Sequence, residues 1–251
     1  MSVSIKSKRE IEIMREAGKI LGTVMRDLSK EVKAGMSTYT LDKIGEEMIR
    51  SYGCIPSCKG YEGYPAAFCI SVNEAIVHSI PSKKIILKEG DIVSLDACLE
   101  YKGYQADAAR TVGVGQISKE AAQLIEVTKQ SFFEGVKYAK EGCHLHEISN
   151  AIAAYNESYG YGVIRELVGH GIGAEMHEDP PIPNFTQQRR GIKLYEGMTL
   201  AIEPMVSAGG YEVEWLDDDW TAVTADRSLA AHYENTVLVT KNGPEILTLV
   251  E

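Results

Sequence analysis

Four carboxylates and one imidazole stand in local contexts that suit a shared, buried site. Asp96 closes Val93-Ser94-Leu95-Asp96, and Asp107 lies in Ala106-Asp107-Ala108-Ala109. Glu203 ends the apolar run Met198-Thr199-Leu200-Ala201-Ile202, and Glu234 opens the β-prone run Glu234-Asn235-Thr236-Val237. His170 sits between glycines in Val168-Gly169-His170-Gly171-Ile172-Gly173. Four carboxylates buried together would repel, and would be costly to desolvate, unless cations neutralised them. One imidazole with several carboxylates and no thiolate suits a hard or borderline divalent ion, Mn, Fe, Co or Zn. Two such ions sharing bridging carboxylates form a hydrolytic centre that can make hydroxide near neutral pH. The set therefore reads as a dinuclear metallohydrolase, with His78 and His177 placed to handle substrate.

Each member has a plainer reading when taken alone. A lone aspartate beside a turn is usually a surface carboxylate. Asp96 and Asp107, however, flank Lys102-Gly103 almost symmetrically. If both arms are extended, the two meet across a hairpin, where neighbours are ~5 Å apart. Glycines beside His170 let the backbone approach a ligand. The rival phosphate-cradling reading fails, because G-x-G-x-G lacks both the Rossmann spacing and a following Lys-Ser/Thr. Glu203 closes an apolar strand and is fixed by Pro204. His177-Glu178-Asp179-Pro180 suggests a zinc protease, but H-E-x-x-H would need histidine where Pro181 stands. His177, in a Pro-bracketed loop, is better placed for substrate than for metal.

The elements that must position these groups can be read in outline. Helical periodicity runs over residues 7–32, and Ser37 or Thr38 caps a second helix that Gly53 ends after Tyr52. Strands are expected at Ile85-Ile86-Leu87, at Asp91 to Asp96, and from Tyr104 to Gly115 after a Lys102-Gly103 turn. Ser118 caps a helix to about Ala139, and another runs from His144 to Tyr159. A weak internal repeat organises the whole. Lys33-x-Gly35 leading to Tyr52-Gly53 recurs 107 residues on as Lys140-x-Gly142 leading to Tyr159-Gly160. Glu89-Gly90 leading to Asp96 recurs at the same offset as Glu196-Gly197 leading to Glu203, and His78-x-x-Pro81 recurs as His177-x-x-Pro180. The expectation is one α/β (α+β) domain over residues 1–251, in pseudo-symmetric halves of roughly 1–116 and 117–251, with the site between them.

A 44% apolar fraction supports a sizeable core, and the net charge of −10 argues against broad nucleic-acid or membrane-surface binding. No signal peptide or membrane helix is legible. The cysteines (Cys54, Cys58, Cys69, Cys98, Cys143) are odd in number and lack C-x-x-C spacing, so reduced thiols in the cytoplasm are expected.

In combination these segments resemble the type I methionine aminopeptidases of the M24 peptidases. The matching motifs are Tyr64-Pro65, Cys69-Ile70-Ser71-Val72-Asn73-Glu74, His78-x-Ile80-Pro81, Gly169-His170-Gly171-Ile172-Gly173, His177-Glu178-x-Pro180, Gly197-Met198, Ile202-Glu203-Pro204 and Glu234-x-Thr236. The resemblance covers nearly the whole chain, roughly residues 8 to 249. The resemblance implies the pita-bread fold, a curved antiparallel sheet covered by helices. It also implies removal of the initiator methionine from new polypeptides whose second residue is small.

Carried across, the ligands of the two metals are Asp96, Asp107, His170, Glu203 and Glu234. Asp107 and Glu234 would bridge, and Glu203 would double as general base for attack by metal-bound hydroxide. His177 corresponds to the histidine on the scissile carbonyl and its oxyanion, and His78 to the one that contacts the amide or donates a proton. Cys58, Tyr61, Tyr64, Cys69, Met176 and Trp220 would line the methionine pocket, a setting that suits a thioether.

The sequence departs from the family pattern at Glu62, where bacterial members often have histidine, and at Asn235, where histidine is common. Met176 stands where an aromatic is frequent, and Ser79 replaces a usual glycine. These positions bear on specificity and metal preference rather than on the reaction. The chain begins almost at the first family helix, and His177 and Glu203 are only 26 positions apart, which fits the short bacterial form. The rivals are a pita-bread peptidase acting on X-Pro bonds and a non-catalytic binding module of the same fold. A monomer is expected. Transient ribosome contact would need a local basic patch, either Lys6, Lys8 and Arg9 or Lys83, Lys84 and Lys88.

Overall fold

Local signals start each helix in the computed structural model, which describes residues 3–250. Ser7 caps Lys8–Glu31 (α1) with a reciprocal box: its hydroxyl accepts from the Glu10 N–H, and the Glu10 carboxylate accepts from the Ser7 N–H. Ser37 caps Thr38–Ser51 (α2) and Ser118 caps Lys119–Val136 (α3) through their hydroxyls. His144 precedes Leu145–Ser158 (α4), and its N–H is held by Glu147. No helix among the described residues is long and apolar enough to cross a membrane.

Nine strands form one antiparallel sheet. Its central path runs Ile55–Pro56, Ile92–Tyr101, Tyr104–Gly113, Glu234–Thr240, Thr199–Ile202, Gly169–Gly171 and Glu178–Ile182. Strict alternation divides the Ile92–Tyr101 strand between two environments. Val93, Leu95, Ala97 and Leu99 join Leu21, Met25, Leu28, Leu41 and Ile49 of α1 and α2 in one core. Ser94, Asp96 and Cys98 therefore face the other way. In the C-terminal half, Phe132 and Val136 of α3 and Ile148 and Ile152 of α4 pack on Leu200, Ile202, Val237 and Val239.

The repeat is visible in the backbone. Gly35 N–H bonds Leu87 O at 2.8 Å, and 107 positions on, Gly142 N–H bonds Leu194 O at 3.0 Å. The bridge Ser37–Ile86 likewise recurs as His144–Lys193. Corresponding glycines adopt matching left-handed φ values: 88° and 94° at Gly35 and Gly142, and 93° and 90° at Gly90 and Gly197.

Two expectations about elements need correction. Ile85-Ile86-Leu87 is not a strand; only one bridge forms, because this segment crosses the start of α2 and finds no longer partner there. The hairpin strands are Ile92–Tyr101 and Tyr104–Gly113, so the first runs five residues beyond Asp96 and the second stops short of Gly115.

Candidate metal centre and substrate pocket

Strand register assembles the centre. Asp96 pairs with Ala109, which pairs in turn with Glu234. Glu203 directly follows Ile202, whose partner is Asn235, so Glu203 continues the same row beside Glu234. The adjacent row, two residues along, holds Cys98 opposite Asp107, and Thr236 opposite Ala201, itself opposite His170. Thr236 joins the two parts of this row. Its hydroxyl accepts from Asp107 N–H at 2.9 Å and donates to Asp107 O at 3.0 Å. Both rows lie on the face turned away from the α1–α2 core. The buried alanines Ala109 and Ala201 leave space between the acids.

Asp96 and Asp107 are not directly opposite, as symmetric flanking of the turn suggested. The two-residue turn pairs Tyr101 with Tyr104, which sets Asp107 opposite Cys98 and one diagonal step from Asp96. Diagonal neighbours on one face remain within reach of a shared ion.

Asp107, His170 and Glu234 each offer a ligand atom within 4.8 Å of the others. His170 Nε2 is 3.5 Å from Glu203 Oε1 and 4.0 Å from Asp107 Oδ2. The other ring nitrogen, Nδ1, donates to Gly171 O at 2.8 Å, which leaves Nε2 with a lone pair directed at carboxylates. Lone pair facing lone pair is repulsive unless something positive lies between.

The electrostatics agree. Burial, and then Asp107, push Asp96 well above the carboxylate range. Burial followed by neighbouring carboxylates does the same to Glu203 and Glu234. Burial raises Asp107 to about 6, while burial and His177 drive His170 down to about 4. Without a cation, every one of these groups is pushed toward neutrality. The donor set of four carboxylates and one oriented imidazole fits divalent metal.

A cavity of about 160 Å³ opens on this centre. Cys58, Tyr61, Glu62, Tyr64, Cys69, Met176 and Trp220 line it together with His78, His177 and the five ligand candidates. Tyr64 and Trp220 meet edge-on at 5.0 Å. His177 stacks edge-on against His170 at 4.3 Å, and its Nδ1 lies 2.7 Å from the Tyr61 hydroxyl. His78 has a left-handed backbone (φ 59°), and burial, then His177, lowers its pKa to about 4. A wider cleft of about 610 Å³ shares His78, His170, His177 and Glu203 and continues past Glu166, Val168 and Pro181. All thirteen sequence-predicted site residues therefore line one cavity.

Residues not anticipated from the sequence surround the centre. Asn184 Nδ2 donates to Glu203 O at 3.0 Å. Arg110 donates to Glu234 O, and to Asn235 Oδ1 at 2.7 Å, while lying 4.4 Å from the Tyr233 ring. Asn235, one of the departures, thus holds the arginine behind Glu234. His232 is buried with its Nε2 3.8 Å from Glu203 Oε2. His232 ends one strand and Glu234 begins the next, in a different sheet, so only its nearness in sequence to Glu234 was available as a signal. One expected surface group is displaced: Lys6 is buried in an ion pair with Glu178 at 2.5 Å, so it cannot join Lys8 and Arg9 in a basic patch.

The sequence profile of Metallopeptidase family M24 matches residues 12–241. A methionine aminopeptidase of Clostridium acetobutylicum is 56% identical over 99% of this chain and all of the relative. Methionine aminopeptidase 1 of Bacillus subtilis is 47% identical over 98% of each chain. The crystal structure of a methionine aminopeptidase from Thermotoga maritima superposes with a TM-score of 0.96 at 44% identity, covering 98% of this chain and 99% of that one.

Proposed function

Since the chain belongs to metallopeptidase family M24, within its methionine aminopeptidases and with their pita-bread fold, we propose that it excises the initiator methionine from new polypeptides with a small second residue, using two divalent ions. Methionine aminopeptidase activity and a divalent-metal requirement follow from the membership itself. The observation that supports the finer reading is the convergence of four carboxylates and one imidazole on one cavity whose other wall is sulfur and aromatic.

Asp96, Asp107, His170, Glu203 and Glu234 would hold the ions. When bound, Mn, Fe, Co or Zn supplies Lewis-acid chemistry, polarising the scissile carbonyl and acidifying water. Cys58, Cys69, Met176, Tyr64 and Trp220 take up the thioether side chain. The Tyr61 hydroxyl lies 2.7 Å from His177 Nδ1; acting as the donor there, it would leave the ring proton on Nε2 for the developing oxyanion. Glu203 accepts the proton of the attacking water and passes it to the departing amine. His78, at the junction of the two cavities, contacts the scissile amide. The remaining peptide leaves along the wider cleft. Five free thiols suit a reducing cytoplasm, where new chains are processed.

The test is hydrolysis of Met-Ala-Ser and Ala-Pro-Ser by metal-free protein resupplied with Mn, Co or Fe(II), alongside Glu203→Ala and His177→Ala. Metal-dependent release of methionine alone, lost in Glu203→Ala, is the expected outcome. Preferential cleavage of Ala-Pro-Ser would move the chain to the proline peptidases. No turnover despite metal binding would leave a binding module.

A further inference from the structure

His232 is a buried imidazole, 2% exposed, and neither of its ring nitrogens has a partner among the described residues. Its backbone is clamped. Thr111 Oγ1 accepts from His232 N–H at 2.8 Å and bonds His232 O at 2.9 Å, with Ser94 Oγ 2.7 Å behind it. The ring direction is therefore set by the sheet and brings Nε2 to 3.8 Å from Glu203 Oε2. The other carboxylate oxygen, Oε1, is the one 3.5 Å from His170. Glu203 thus stands between two imidazoles, one on each oxygen.

An unpaired buried nitrogen forfeits its bond to water without replacement, so an apolar side chain of similar size would serve packing better. A buried histidine here is explained only by a partner, and the Glu203 carboxylate is the acceptor within reach. A separation of 3.8 Å is too long for a hydrogen bond. A small side-chain rotation, or one enclosed water, closes it into a charge-assisted contact.

We propose that His232 is a positioning residue for Glu203, its ring N–H holding Oε2 so that Oε1 is presented to the centre and the attacking water. The inference rests on the working role given to Glu203 above. A carboxylate with one oxygen tethered keeps its rotamer through the proton transfer, whereas an untethered one samples several.

The experiment uses full-length protein stripped of metal. His232→Gln keeps an N–H donor, His232→Leu removes it, and Glu203→Ala and Glu203→Ala/His232→Leu are run beside them. Three quantities are read: Mn(II) affinity by calorimetry, the melting temperature of the metal-free protein, and kcat and KM on Met-Ala-Ser. In His232→Leu, kcat is expected to fall about 10–100-fold and Mn(II) affinity to weaken. KM should change less than about threefold, and the metal-free melting temperature should hold or rise. His232→Gln should recover most of both losses, and the double variant should bind Mn(II) no worse than Glu203→Ala alone.

The inference is overturned if His232→Leu matches wild type in kcat and Mn(II) affinity. It is also overturned if Gln is as impaired as Leu, or if melting temperature and kcat fall together, which would signal packing. Loss of one bound Mn(II) in both His232 variants would make the residue a ligand instead. If Glu203→Ala turns over like wild type, the functional reading of Glu203 itself has failed. An inactive Glu203→Ala beside an unchanged His232→Leu rejects only the present inference.

Discussion

In the N-terminal half, the strand Ile92–Tyr101 delivers Asp96 to the centre; 107 positions on, the strand Thr199–Ile202 delivers Glu203. The same turn glycines and the same long-range backbone bonds precede both carboxylates. The difference is one methylene and what surrounds it. Asp96 is a short side chain within a continuous hairpin, paired on the far side of the turn with Ala109. Glu203 lies just past its strand end, with Asn184 on its backbone and an imidazole near each oxygen. A fixed short arm matches the ligand role proposed for Asp96; a longer arm between two imidazoles matches the added proton transfer proposed for Glu203. The histidines diverge similarly. His78 is held by a left-handed backbone, while His177 is oriented by Tyr61 and sits beside Glu178, which buried Lys6 pins. Matching backbone features 107 positions apart thus carry different side-chain surroundings in the two halves.

The largest test separates the two carboxylates. Glu203→Ala is expected to lower kcat by on the order of 10²–10⁴ while retaining more Mn(II) binding than activity. Asp96→Ala should lose Mn(II) affinity and activity in parallel. Equal ratios of activity to metal lost, measured by calorimetry and steady-state kinetics, would erase the contrast.

For the histidines, His177→Ala should lose about 10²–10³ in kcat, as expected for an oxyanion donor. His78→Ala should lose less, and Tyr61→Phe should move His177-dependent kcat without altering metal affinity. A larger loss at His78 would reverse the assignment.

Metal removal tests the centre as a whole. Raised acids hold protons that the unfolded chain has already released, so the metal-free fold loses stability as pH rises. Depressed histidines act oppositely, but only below about pH 6.5, where the unfolded chain protonates them. Between about pH 6.5 and 8 the acids act alone. There the metal-free melting temperature is expected to fall with pH because folded Asp96, Glu203 and Glu234 keep protons that the unfolded chain has lost, and saturating Mn(II) should flatten the slope. A flat metal-free profile would contradict a buried acidic cluster.

The smallest effects test the scaffold. A Cβ on Gly35 or Gly142 meets nothing within 4 Å, so alanine at either should cost about 1–2 kcal/mol through backbone strain alone, and equally in both halves. Gly90 and Gly197 should differ. A Cβ at Gly197 would lie 2.9 Å from Ile5 and 3.0 Å from Lys6 O, against 3.9 Å to Gln116 O at Gly90. Chemical denaturation of the four variants reads this directly.

Much of this was legible beforehand because it is local. Ser37 and Ser118 each satisfy the first N–H groups of the helix that follows, whatever that helix packs against. Lys102 and Gly103 both take positive φ in the hairpin turn, as the turn position predicts. The ligand types announced themselves because carboxylates inside apolar runs need a reason. Less legible were relations that cross between distant segments. Lys6 looks like a surface cation until Glu178 and the Gly197 carbonyl, to which its N–H bonds at 2.8 Å, enclose it. Ile85-Ile86-Leu87 has strand composition, but no neighbouring strand is available to it.

The sequence by itself determined the helix boundaries, the alternation that sends Asp96 and Asp107 to one face, the donor chemistry and the repeat, since each depends on neighbours within a few positions or on residue type. The tertiary structure alone decided that Ala109 separates Asp96 from Glu234, that Glu203 extends their row, and that His232 approaches the far oxygen of Glu203. Those facts depend on which strands pair and in what register. That pairing is set by core packing summed over the whole chain, and a shift of one residue would have turned every ligand to the opposite face.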